Sequence, residues 1–467
     1  MRKPLPNALE IDFKGGLSSE VTPHAGISLF IETGRRSGVM AAAEKYLPQK
    51  RSAKGLGQGQ FVEAFVLLSA LGGDCVDDFD GLRRDMGLRA LLGYTLPAAS
   101  TARQYLDRFH EEALLAGRPA QGSFIPRESD WLAGLRAVLQ HSVRTYVSAV
   151  APGPAVTLDV DAHLVESSKQ EALPTYEGFR GYQPLLVSWA EQGLVMARAA
   201  EFRDGNVPAS VGIKELVDEA FASLPARADG QAWQVAVRSD SAGYEQAILD
   251  HWEARGWRFA VSADMSPQLK AVVMAVPETA WQVWKAEARG TVREWAEVAY
   301  VPSRVPEQRD RKPYRYVAIR VRKAQGEFFA DGNASKHFAV VTNDWETEGQ
   351  TLLTWSRGRA GTIEHVNRIL KDELAGGVYP SGKFGANAAW LRLQCLTQNL
   401  LEALKAVGLD PQYRTARPKR LRFAIFTQFG RVVRHARQLY LRLETAVLDA
   451  LLWPARGCVT RAGWRPP

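Results

Sequence analysis

The sequence predicts a mixed α/β protein whose sheet carries acidic residues at its strand ends, with a β-rich insertion, a helical N-terminal domain before it and a basic helical C-terminal region after it. Three observations carry this reading. Alternation of β-branched and apolar residues begins directly after the linker Ala151-Pro-Gly-Pro154. From there the order reads strand, two hairpin strands, helix, strand, helix, strand. The stretches on either side have a different texture, the first of short helices between Gly/Pro turns, the last of uncompensated basic residues.

In chain order, the apolar run at 61–71 predicts a buried helix ended by Gly72-Gly73. Ser100-Thr101, after Pro97, predicts a cap for a helix over 102–110 with Tyr105, Leu106 and Phe109 on its apolar face. Arg83, Arg84, Arg89 and Arg103 outside these helices suit a small DNA-binding domain and equally suit any helical bundle. Strands are expected over 156–161, 184–189, 194–202, 233–237 and 258–261, with helices over 211–224 and from about Tyr244 to Trp252. Residues 276–330 interleave Trp281, Trp284, Trp295, Tyr300, Tyr314 and Tyr316 with charges, as a twisted antiparallel insertion would. A core strand over 338–342 and helices over 362–374 and 386–407 complete the pattern. The implied division is 1–150 (helical, DNA-binding), 151–275 and 331–410 (two parts of one core), 276–330 (insertion) and 411–467 (basic).

With 467 residues, 46% hydrophobic and 24% charged, the chain is neither disordered nor collagen-like. No apolar run approaches the ~18–20 residues of a membrane span, and Met1-Arg2-Lys3 has no apolar stretch behind it, so neither a membrane nor a signal peptide is expected. Cys75, Cys395 and Cys458 are too scattered for a disulfide framework or a zinc site, and the eight histidines lack metal-binding spacing. The expectation is a cytoplasmic, nucleoid-associated protein with reduced thiols. Lys+Arg exceed Asp+Glu by 59 to 51, a net charge of +8. From Arg414 to Arg442 there are nine basic residues, Arg431, Arg434 and Arg437 among them, and no acid. Such a stretch is either a solvated face or a contact with phosphate backbone.

Asp159 and Asp161 lie two apart on a predicted strand and so share a face. Asp240 comes just after another strand, and Glu364 opens a helix on which Lys371 stands about two turns later. Each acid alone is an ordinary turn cap. Together they are the donors that phosphodiester chemistry needs, because Mg²⁺ takes hard oxygen ligands and two such ions about 4 Å apart activate the attacking oxygen and steady the leaving one.

The blocks Asp159-Val-Asp-Ala-His-Leu-Val165, Arg238-Ser-Asp-Ser-Ala-Gly-Tyr244 and Ala360-Gly-Thr-Ile-Glu-His-Val-Asn-Arg-Ile-Leu-Lys371 resemble, in order, the three acidic blocks of DDE transposases of bacterial insertion sequences. The stretch Tyr379–Leu393 resembles the segment C-terminal to the Glu block in the insertion-sequence family numbered thirteen-eighty. The resemblance covers roughly 156–407 and implies an RNase H-like catalytic core. It implies Mg²⁺-dependent (or Mn²⁺-dependent) cleavage at element ends and strand transfer by the freed 3′-hydroxyl. The implied partners are terminal inverted repeats and target DNA, bound by a homodimer or higher oligomer. It makes Asp161 or Asp159, with Asp240 and Glu364, the catalytic metal ligands. Lys371 takes the place of a phosphate-contacting Lys; the family's Arg four residues before the Glu is here Ala360, so Arg357 and Arg359 are its nearest substitutes. In related insertions an aromatic stacks on a flipped base, which makes Trp281, Trp284 and Trp295 candidates. Two rival readings remain: a domesticated, inactive DNA-binding protein, and an RNase H-like nuclease without strand transfer.

Overall fold

Val156, Leu158 and Val160 point to one face of the strand Ala155–Ala162, and Thr157, Asp159 and Asp161 to the other, by the two-residue period of an extended chain. This strand is central in a computed structural model that describes residues 20–50, 54–119, 122–169, 171–286, 290–302, 313–323, 327–330, 332–435 and 438–445 (197–200 as backbone). Nine strands form one sheet: β1 (Ala155–Ala162), β2 (Leu185–Trp189), β3 (Leu194–Glu201), β4 (Gln234–Ser239), β5 (Arg258–Ala263), β6 (Gln282–Ala286), β7 (Val292–Val298), β8 (Arg315–Arg322) and β9 (Ser335–Thr342). Their order across the sheet is β6-β7-β8-β9-β5-β4-β1-β2-β3. The first three strands form an antiparallel meander. β4 runs parallel to β1, and β5 parallel to β4. Parallel neighbours need a crossover, supplied by the helices Ile213–Ala222 and Gln246–Ala254. The strands from the aromatic-rich stretch continue the same sheet antiparallel beyond β5, through β9.

Both faces of the sheet centre are covered, which is why β1 is buried from Val156 to Val160. On one face Leu158, Val160, Val187 and Val237 pack with Ile213, Leu216, Leu249 and Trp252. On the other, Leu186 and Val195 meet Ile363, Val366, Ile369 and Leu370 of the helix Ile363–Glu373. The second contact seats this helix over the face that carries Asp159 and Asp161.

The helix Phe384–Val407 is buried all round from Phe384 to Lys405, not only along one stripe. The N-terminal helices wrap it: Phe65 of Gln58–Leu71 lies edge-on to Trp390, and Gly72 ends that helix at φ 93°, as expected. Gly385 lets the chain at Phe109 approach, since a Cβ there would lie 2.2 Å from the Phe109 carbonyl. Polar groups on so buried a helix need partners. Asn399 accepts from Val195 N at 2.8 Å and donates to Val195 O at 2.9 Å, giving the outer edge strand β3 a bonding partner.

Two expectations need correction. The helix expected over 102–110 runs Ala99–Asp107 with Ala98, not Ser100 or Thr101, as N-cap. Asp80 Oδ1 accepts from Ala99 N at 3.4 Å, so the helix start is met from another segment. The basic C-terminal region is not helical throughout. After a short helix at Pro418–Leu421 and a wider turn at Arg422–Phe426, the strands Gly430–His435 and Gln438–Leu443 form an antiparallel hairpin that pairs with Val21–Thr22. Leu439, Leu441 and Leu443 alternate with polar residues at the strand period, a signal masked by the density of arginine. The charge is also partly compensated from far along the chain. Arg417 pairs with Glu373, and Arg431 with Glu20 at 3.2 Å. Arg422 is spent on the carbonyls of Ser69, Ala70 and Glu373. Among the described residues no helix is long and apolar enough to cross a membrane.

Candidate active site

Asp159 is fully buried, and both its oxygens are taken. Arg238 donates Nε to Oδ1 at 2.6 Å and Nη2 to Oδ2 at 2.8 Å, and the Thr362 hydroxyl donates to Oδ2. The parallel register sets Arg238 directly beside Asp159. Arg238 also donates to the carbonyl of Trp355. One buried ion pair thus ties β1 and β4 to the turn that leads into the Glu364 helix.

Asp161 stands one pleat further on, at the open end of β1, with its side chain 16% exposed. Arg359 Nη2 donates to Oδ1 at 2.6 Å and Asn367 Nδ2 to Oδ2 at 2.6 Å. Its carboxyl is pushed up to about 6, first by burial, against the pull of Arg359, with the like charges of Asp240 and Glu364 adding to the rise. Acids from the two other blocks, Asp240 and Glu364, therefore act on this one carboxylate. Asp240 caps the turn after β4, Oδ1 accepting from Ala242 N at 3.1 Å. Glu364 lies exposed in the first turn of Ile363–Glu373, and Asn367 and Lys371 stand at helical spacing on the same face. Arg357 is within the fields of Glu364, Arg293 and Arg359.

A carboxyl raised to about 6 fixes the sign of a pH effect. Between the ordinary value of about 3.9 and that value, the folded chain holds a proton that the unfolded chain has released, so this group costs stability as pH rises through the window. In EDTA, the melting temperature of the wild type relative to Asp161→Asn is expected to fall between pH ~4 and ~7. Calorimetry of the two proteins checks this, and parallel pH profiles would refute it.

The donor set fits a divalent cation. Its carboxylate oxygens are hard, and Asn367 Oδ1 is a buried acceptor with no donor. Asp161, Asp240 and Glu364 do not all lie within 4.8 Å of one another; among the described residues, the one group of three candidate ligands that does is Asp74, Cys75 and Asp78. That group is a turn in which Asp78 Oδ2 accepts from the backbone of Asp74 and Cys75.

A family model, transposase DDE domain group 1, matches residues 5–456. The chain belongs to this family. No curated protein matches it.

In this DDE transposase the aromatic candidates have separate fates. Trp295 is 5% exposed and packs with Val317, Ile319 and Leu352, so it has no face open to a base. A Cβ at Gly349 would lie 2.3 Å from its ring. Trp284 is half-buried and donates Nε1 to Thr354 Oγ1 at 3.0 Å. Trp281, also half-buried, has the Arg320 guanidinium 4.4 Å from its ring centre and borders a cavity of about 470 Å³. Arg431 and Arg434 are exposed on the C-terminal hairpin, and Arg437 lies outside the described residues.

Arg238, Thr362 and Asn367 were not singled out by sequence reasoning, although all three stand inside the acidic blocks. The available signal was β1 itself: a buried carboxylate on a central strand requires a cationic neighbour, and Arg238 precedes Asp240 by two residues.

Proposed function

We propose that the chain is a DNA transposase that cleaves at the ends of its element and joins the freed 3′-hydroxyl to target DNA, using Mg²⁺ or Mn²⁺ held by Asp161, Asp240 and Glu364. The observation that carries this reading is the placement of Asp161 at the end of β1, beside the end of β4 that leads to Asp240 and bonded to Arg359 and to Asn367 of the Glu364 helix. An RNase H-like core is supported by the order β3-β2-β1-β4-β5, an antiparallel meander followed by two strands parallel to the first. Asp159 is assigned to the frame, because its lone pairs already serve Arg238 and Thr362.

The cations would activate the attacking oxygen and neutralise charge on the leaving one. The chain's own residues position the DNA for that step. Asn367 orients the Asp161 carboxylate, and the Asp240 cap fixes that of Asp240. Lys371 and Arg357, exposed beside Glu364, hold the scissile phosphate or its neighbours. Of the aromatic candidates, Trp284, bonded to Thr354 of the helix that leads into the Glu364 turn, is the one assigned to a displaced base, Trp281 packing against the opposite face of the sheet. Terminal inverted repeats are gripped by the helical N-terminal region and the basic hairpin, with two copies needed to join two ends.

The test is incubation with Mg²⁺, a plasmid carrying the element's ends, and a target plasmid. End-specific nicks and joined products are expected. Binding without nicks would point to an inactive DNA-binding protein, and nicks without joining to a nuclease. For the hairpin, replacing Arg431 and Arg434 with Gln is expected to weaken DNA binding and to reduce the slope of log K against log [salt] by about 1–2. Fluorescence anisotropy across a salt series checks this, and an unchanged slope would mean that the hairpin faces solvent only.

A further inference from the structure

We propose that Arg359 is an exchange cation: in the DNA-free protein it occupies Asp161, and a DNA phosphate draws it off, so that metal binding depends on DNA. The inference rests on the assignment of Asp161 as a metal ligand. Arg359 Nη2 donates to Asp161 Oδ1 at 2.6 Å and to the Val160 carbonyl at 2.8 Å. With Asn367 on Oδ2, each oxygen of the carboxylate has one donor, and an incoming cation shares the carboxylate with a positive charge already paired to it. Asn367 is neutral and anchored in the Glu364 helix, so the partner that competes directly with a cation for charge is Arg359.

The guanidinium is not fully satisfied where it sits. Its side chain is 13% exposed, yet Nε is buried with no acceptor. A planar fork that leaves a buried N–H unpaired is suited to a second, bidentate partner, and phosphate is the anion whose geometry matches it. The backbone of Arg359 lies in the four-residue turn Gly358–Gly361, which Arg238 holds at both ends, so the exchange moves the partly exposed Arg359 side chain alone. Arg357 and Arg293 add positive field beside it, which draws polyanion to this turn. The exchange conserves charge. The Asp161–Arg359 pair gives way to Arg359–phosphate and Asp161–cation, so no charge is left unpaired at either stage.

The test uses the full chain, Mn²⁺ and a short synthetic duplex, with Mn²⁺ binding read by electron paramagnetic resonance. For the wild type, the duplex is expected to tighten Mn²⁺ binding by ~10-fold or more. Arg359→Gln is expected to bind Mn²⁺ without DNA about as tightly as the wild type does with it, the duplex then adding less than ~3-fold. Arg359→Lys, which keeps the charge but not the fork, is expected to fall between the two. If Arg359→Gln shows unchanged or weaker DNA-free binding while Asp161→Asn loses Mn²⁺, the exchange is wrong and the metal-site reading stands. If Mn²⁺ binding survives Asp161→Asn, both are wrong.

Discussion

Asp240→Asn and Glu364→Gln are each expected to lower end cleavage by at least about 10³-fold while leaving DNA affinity within about threefold of wild type. Both side chains sit on the surface of the site, Glu364 exposed and Asp240 half-buried. Neither is held by a buried ion pair whose loss would unfold the chain, so lost activity would report chemistry. Asn and Gln keep shape and hydrogen bonding but remove the charge that would hold a hard cation. The Asp240 cap onto Ala242 N survives as Asn, which accepts the same bond. Single-turnover cleavage with Mg²⁺, beside anisotropy and a thermal melt, separates the effects. Wild-type cleavage by either variant would dismantle the acidic constellation.

Much of the frame was legible because its signals are local. β1 alternates at a period of two, Gly72 ends a helix as glycine does, and Glu364 and Lys371 fall at helical spacing. The three acidic blocks were linked by the metal chemistry they would share and by their order in the family resemblance. Which of Asp159 and Asp161 is sealed in a buried ion pair could not be read. It depends on which residue of β4 lies beside which residue of β1, and parallel register is set by crossovers far away in sequence. The same limit hid the compensation of the basic segment, whose acids, Glu373 and Glu20, approach from other elements. Trp295 looked like its neighbours Trp281 and Trp284, and it is the helix Gly349–Arg357, through the close approach of Gly349 and the packing of Leu352, that seals it into the core.

Asp159→Ala is expected to cost about 3–5 kcal/mol of folding stability, because it strands the Arg238 guanidinium in the interior. Arg238 is 4% exposed and Asp159 0%, so neither can turn to water. The pair was costly to bury in the first place, and a well-packed apolar replacement of both partners is therefore expected to recover most of the loss. Asp159→Leu with Arg238→Met is the matching double variant, and urea denaturation of the wild type, both single variants and the double variant closes the cycle. Activity should not recover with stability. The pair also reaches the Thr362 hydroxyl at the start of the Glu364 helix and the Trp355 carbonyl at the end of the preceding one. Apolar side chains would fill the space without holding that turn, and small displacements of a metal-binding carboxylate are costly to rate. A double variant that is stable and cleaves poorly is the expected result. One that is stable and fully active would show that the Glu364 helix is held in place by the packing of Ile363, Val366 and Leu370 alone.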